Sequence, residues 1–204
     1  MIQAPPVPTV YVIDDDLHAR ESVTELVAAW NFRVNSFESA PAFLRHDELS
    51  KVGCVVTDLR MPEMTGLELQ QELKTTGIDL PLIIISAYIG VPDTVTAMQD
   101  GAISVLPKPY GQQQLWEEIK RGLALSADRY TRSHRKQEVA SLFSKLSDSE
   151  VEVLDFVADG LPNKAVANRL SVSLRTVEHR RSRIMQKLGV TSFAGLMNLL
   201  NESR

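Results

Sequence analysis

Cysteine is nearly missing from this chain, with Cys54 alone among 204 residues. One thiol excludes an intramolecular disulfide framework and any zinc site built on cysteines. Its setting, Cys54-Val55-Val56, reads as a buried strand, so an inert core thiol is expected rather than a nucleophile. Long apolar runs are also missing, the longest being a few residues, so no membrane segment is expected where a helix needs about 20. The start, Met1-Ile2-Gln3-Ala4-Pro5-Pro6, has no basic region followed by an apolar run, so no secretory signal is expected. These absences point to a soluble, cytoplasmic protein. Nor does charge of one sign dominate, the formal balance being −4. With 44% hydrophobic and 24% charged residues, wholesale disorder is excluded.

What is present divides in two. Residues 1–125 carry 9 Lys/Arg against 17 Asp/Glu, whereas residues 126–204 carry 13 against 9. An acidic half joined to a basic half implies two domains with different partners, the basic one suited to a polyanion. The length agrees, since domains average about 150 residues and two small ones fit.

The first half alternates short apolar runs with helical periodicity. Strands are expected at Val10 to Ile13, Phe32 to Phe37, Cys54 to Thr57, Leu82 to Ile85 and Ile103 to Leu106. Between them, Val23, Leu26, Val27 and Trp30 fall on one helix face. Leu67, Leu69 and Leu73 mark a second helix, and Val95 and Met98 a third closed by Gly101. Strands apolar throughout are covered on both faces, which predicts an α/β doubly wound, five-stranded parallel sheet of the flavodoxin-like order. Gln112 to about Phe143 has no proline and one glycine, Gly122, and its charge-dense end reads as a helical linker. Residues 146–204 predict an all-α unit of four helices. Ser147-Asp148-Ser149-Glu150 forms a capping box, Asn163 and Ser173 are expected caps, and Gly160 and Gly189 stops. The expected division is 8–125, a linker at 126–143, and 144–204.

In an open α/β sheet, ligands sit at the carboxyl ends of the strands. There the sequence sets Asp14, Asp15 and Asp16 after the first strand, Asp58 after the third, Ser86 after the fourth and Lys108 after the fifth. Clustered carboxylates with open oxygen positions suit Mg²⁺, and a carboxylate beside it can attack phosphorus to form an acyl phosphate. Ser86 and Lys108 would then bond the new phosphoryl oxygens. Singly, each acid also reads as a solvated loop residue, and Asp16 as the cap of the following helix.

Val12-Ile13-Asp14-Asp15, Val56-Thr57-Asp58, Ile85-Ser86-Ala87 and Leu106-Pro107-Lys108-Pro109 resemble the receiver domain of two-component response regulators over about residues 8–125. The resemblance implies that Asp58 accepts the phosphoryl group and that Asp14, Asp15, Asp58 and the Arg60 carbonyl hold Mg²⁺. It further implies that Ser86 is the switch hydroxyl, that Lys108 binds phosphate, and that the Lys108-Pro109 bond is cis. One departure stands out. Receivers carry Tyr or Phe three residues before the lysine, and here that position is Val105. Tyr88 is a possible substitute, against the plainer reading of an exposed loop tyrosine.

Residues 160–190 hold seven Lys/Arg against one acid, Glu178. At 100° per residue Val177, Arg181, Ile184, Met185 and Leu188 share one helix side, while Glu178, His179, Ser182, Arg183 and Gln186 share the other. Arg180 and Lys187 flank that second face, where phosphates would lie. A helix in the major groove needs this division, although a solvated surface helix shows it too. Leu146-Ser147-Asp148-Ser149-Glu150, Gly160-Leu161-Pro162-Asn163-Lys164, Arg175-Thr176-Val177-Glu178 and Lys187-Leu188-Gly189-Val190 resemble the LuxR-type helix-turn-helix over about residues 140–204. That resemblance implies a DNA-contact set of Lys164, Arg175, Thr176, Glu178, His179, Arg180, Ser182, Arg183, Gln186 and Lys187. It implies dimerisation through the last helix, where Leu196, Leu199 and Leu200 stand. The whole chain is similar to FixJ/NarL-type regulators. The partners implied are a sensor histidine kinase, duplex DNA and a second copy when phosphorylated.

Two other readings compete. Asp14-Asp15-Asp16 contains the Asp-x-Asp of haloacid dehalogenase-type phosphohydrolases, but His18 stands where that class needs Thr or Val, and the class has no use for a helix-turn-helix. The chain is therefore not expected to be an enzyme. The alternative within the same architecture is a phosphorylation-independent DNA-binding regulator whose receiver serves protein contacts alone, suggested by Val105.

Overall fold

A computed structural model of the chain describes residues 6–87 and 90–203; Tyr88 lies outside the described residues. The chain divides after Thr131 into two compact units. In the first, β1 (Thr9–Ile13), β2 (Arg33–Phe37), β3 (Gly53–Asp58), β4 (Leu82–Ser86) and β5 (Ser104–Pro107) alternate with α1 (Leu17–Ala29), α2 (Ala40–Leu44), α3 (Gly66–Thr76), α4 (Val91–Gln99) and the opening part of α5 (Gln112–Phe143). All pairings are parallel, in the order β2-β1-β3-β4-β5. The flavodoxin-like expectation holds.

Period-2 alternation divides the apolar residues of the central strands between two faces. Tyr11, Ile13, Val55, Leu82 and Ile84 face a core shared with Phe43, Leu69, Leu73 and Ala97. Val10, Val12, Cys54, Val56, Ile83 and Ile85 face the opposite core, with Val23, Val27, Leu115, Ile119 and Leu123. Gly122 lets α5 approach closely, since a Cβ there would stand 3.0 Å from Cys54 Cβ and 3.0 Å from Ile103 Cδ1.

Two elements depart from the sequence expectation. Helix α2 is unannounced by any period because it has only five residues; Ser39 caps it through the Ala42 N–H at 3.3 Å. Its Phe43 meets the Tyr11 and Phe37 rings at 5.4 Å each. In α4 the residues that mark the helix point outward, Val95 and Met98 each being 47% exposed, while the small Ala97 faces the core.

In the second unit, α6 (Asp148–Ala158), α7 (Asn163–Leu170), α8 (Leu174–Leu188) and α9 (Phe193–Ser203) surround one core. Ser173 caps α8 through the Thr176 N–H at 3.1 Å, and Gly189 ends it at φ 68. Two expectations are corrected. Asn163 is not the cap of α7; Pro162 holds that position, and Asn163 Oδ1 accepts from Arg181 Nη1 at 2.9 Å. Leu196 and Leu199 are not a dimer surface, because at 1% and 6% exposure they fill this unit's own core, with half-buried Leu200 packed against it. Segment 126–143 is helical, as expected, and lies within α5; residues 132–143 fall in the second unit, where Val139 is wholly buried in the core. No helix among the described residues is long and apolar enough to cross a membrane.

Candidate functional site

Parallel strands deliver the residues at their carboxyl ends to one rim. Asp14 comes directly after β1, Asp58 ends β3, Ser86 ends β4 and Lys108 comes directly after β5. The structure closes this set through Lys108, whose Nζ donates to Asp58 Oδ1 at 2.6 Å and to Asp14 Oδ2 at 3.0 Å. The other oxygens are oriented by backbone: Arg60 N–H donates to Asp58 Oδ2 at 2.6 Å, and Asp16 N–H to Asp14 Oδ1 at 3.0 Å. Buried Ser86 accepts at its carbonyl from the Lys108 N–H at 2.8 Å, and the Lys108–Pro109 bond is cis. Asp16 caps α1 through the Ala19 N–H at 2.9 Å, as expected.

Three residues that sequence reasoning passes over shape this rim. Arg20, one turn into α1, donates from Nη1 to the Asp14 carbonyl at 2.6 Å, a residue that only the helix period could have placed. Gly66 opens α3 against the pocket, and a Cβ there would stand 2.6 Å from the Asp58 carbonyl. Tyr110 is half-buried beside Lys108 and Asp14; burial pushes its phenol up, with the Lys108 charge opposing.

Burial also raises the Asp14 carboxyl, opposed by the hydrogen bond from Lys108 and reinforced by the charge of Asp58. Burial works against the Lys108 ammonium, but the bonds to Asp58 and Asp14 outweigh it and hold its pKa above the ordinary lysine value. Two carboxylates thus share one cation in a poorly solvated place. Asp15 stays exposed, and among the described residues no three His/Cys/Asp/Glu side chains converge as a metal cage. The donor set nevertheless fits Mg²⁺, which takes one or two carboxylates and keeps water and substrate oxygens. Val105 is half-buried against the core on the α3 side.

In α8, Val177, Ile184 and Leu188 are buried while Arg175, Glu178, His179, Ser182, Arg183 and Gln186 are exposed, as the helical wheel predicts. Lys164 is exposed on α7, and Thr176 and Arg180 are half-buried. The half-buried Lys187 ammonium donates within the unit to Glu150 Oε2 at 2.5 Å and to the Lys145 carbonyl at 3.0 Å, because a buried carboxylate demands a cation. Glu150 is held at about 2, first by the Lys187 bond and then by the Ser147 N–H. The capping box is the sequence signal for Glu150, but it says nothing of α8.

The family described as response regulator receiver domain matches residues 10–120, and that described as bacterial regulatory proteins, luxR family, matches residues 144–200. The transcriptional regulatory protein TdiR of Thauera aromatica is 40% identical over 192 residues, covering 94% of this chain and 85% of that protein. The transcriptional regulatory protein FixJ of Azorhizobium caulinodans is 36% identical over 190 residues, covering 93% and 90%. Among solved structures, the response regulator StyR is similar at TM-score 0.90 and 40% identity, covering 96% of this chain and 98% of that one.

Proposed function

The chain belongs to the response regulators that join a receiver to a LuxR-type DNA-binding domain, and from that premise we propose that Asp58 is phosphorylated by a sensor histidine kinase and that the phosphate controls DNA binding by α8. The observation that carries this is the Lys108 ammonium bridging Asp58 and Asp14 across three strand ends. The Asp58 carboxylate attacks phosphorus: an O–P bond forms, the donor's P–N bond breaks, and the departing imidazole takes a proton. Lys108 neutralises a phosphoryl oxygen, and the Ser86 hydroxyl donates to another. Asp14, Asp15, Asp58 and the Arg60 carbonyl would hold Mg²⁺, whose charge lets one anion approach another.

Lys164, Arg175, Thr176, Glu178, His179, Arg180, Ser182, Arg183 and Gln186 form the DNA-contact set, with Lys187 left out. A second copy is recruited on phosphorylation through α4, where Val91, Val95 and Met98 leave an exposed apolar stripe at spacings of four and three. Two DNA-binding units held together favour two half-sites about one helical turn apart and gain affinity by bivalency. With Val105 in place of an aromatic, the receiver's rearrangement is smaller than is usual or involves Tyr88. The protein works in the cytoplasm, where its DNA lies, and turns over no phosphomonoester.

Incubation with a small acyl-phosphate donor tests the pocket. Intact mass should rise by one phosphoryl group, depend on Mg²⁺, and stay unchanged in Asp58→Asn. Equal labelling without Mg²⁺, or labelling that survives Asp58→Asn, would refute it.

A further inference from the structure

Glu150 is the most deeply buried carboxylate among the described residues, at 3% exposure. Its place as third residue of a capped helix requires only one contact, the Ser147 N–H on Oε2 at 2.8 Å. A buried carboxylate needs further partners, and these come from α8. Lys187 Nζ donates to Oε2 at 2.5 Å, and Arg183 Nε stands at ion-pair distance, 3.6 Å, from Oε1. Beside them, Arg180 Nη1 reaches the Ser149 carbonyl at 3.5 Å, and Lys187 also meets the Lys145 carbonyl. Positions 180, 183 and 187 form one stripe, so three cations of α8 are tied to the segment that opens α6.

We infer that Glu150 is a positioning residue for DNA recognition, an inference that rests on the DNA-binding reading above. It fixes α8 in rotation and along its axis, and withholds Lys187 from phosphates. It also aims Arg183: the carboxylate engages Nε, leaving the outer guanidinium nitrogens of a side chain 57% exposed to form a fork toward a base edge. The stripe thus divides between an anchored end at Lys187 and a reading end at Arg183.

The test uses the full chain and a pool of random duplexes, from which the native protein selects a preferred sequence. Affinities for that duplex and for a scrambled one are then measured across a salt series. Glu150→Gln should lower the preference about tenfold, the worth of one good base contact, while affinity for the scrambled duplex holds. A merely destabilised domain would lose both together. Lys187→Met should leave the slope of log affinity against log salt unchanged, whereas loss of a phosphate contact would reduce it by about 0.9. Should Glu150→Gln fail to fold, the pair Glu150→Met with Lys187→Met replaces the buried ions by apolar groups and should again lose preference. Native preference in the folded Glu150 variants, or a reduced slope in Lys187→Met, overturns the inference. A native chain that selects no sequence overturns the DNA reading itself, and this inference with it.

Discussion

At the residue scale, the candidate pocket accepts an electrostatic cost for the sake of chemistry. Asp14 is buried, its carboxyl is raised by that burial, and Lys108 only partly offsets this. A carboxyl whose folded pKa exceeds its unfolded value stabilises the fold only at low pH, and that contribution is lost as pH rises through the folded pKa. At pH 7 the charged form therefore works against folding. Asp14→Asn should raise Tm at pH 7 while impairing acyl-phosphate labelling; a lowered Tm would contradict this account of the residue. Glu150 has the opposite sign. Its carboxyl falls from 4.5 to about 2, so its contribution is complete above 4.5 and disappears as pH falls toward 2. Between pH 5 and pH 2.5 the native chain should lose more of its denaturant resistance than Glu150→Gln does. Parallel curves for the two would show that the carboxylate carries no such linkage.

At the scale of the element, legibility tracks length and period. The five strands and the long helices are visible in the sequence because alternation and the 3.6 repeat leave several marks each. Helix α2, with five residues, leaves none. In α4 the apolar stripe locates the helix but not its buried side, since Ala97 and not Val95 or Met98 faces the sheet. Asp14, Asp58, Ser86 and Lys108 are legible because a parallel sheet gathers the carboxyl ends of all its strands at one edge. The bond of Lys187 to Glu150 is not legible in the sequence, because a helical wheel shows which face a residue is on and not which charge waits opposite it. The leucines of α9 mislead for the same reason: an amphipathic face is equally suited to a second copy and to the chain's own core. Leu196→Ala should therefore cost about 2–5 kcal/mol of stability in the second unit, as a buried leucine does. A dimer-facing leucine would instead leave the monomer's unfolding midpoint in place. Gly66→Ala should lower stability as well, because its Cβ would meet the Asp58 carbonyl at 2.6 Å and something must shift; labelling of Asp58 should slow with it.

At the scale of the molecule, α5 serves both units: Leu115, Ile119 and Leu123 complete a core of the first, and Val139, with Leu142 and Phe143 beside it, packs in the core of the second. A fragment of residues 132–204 should accordingly be more stable than one of 144–204 by at least about 2 kcal/mol, the worth of one fully buried aliphatic side chain. Equal denaturant midpoints would show that residues 132–143 add nothing to that unit. The central claim is that one phosphoryl group on Asp58 controls DNA binding by α8 in the other unit, and it is best tested on a single sample. The native chain and Asp58→Asn are treated with an acyl-phosphate donor and Mg²⁺, then titrated onto a duplex selected by the native protein. A phosphate that acts through pairing of two copies predicts that the labelled native chain binds more tightly than the unlabelled, with a larger mass by light scattering, while Asp58→Asn does not change. Full labelling with unchanged affinity and unchanged mass would contradict it and leave a receiver that serves protein contacts alone.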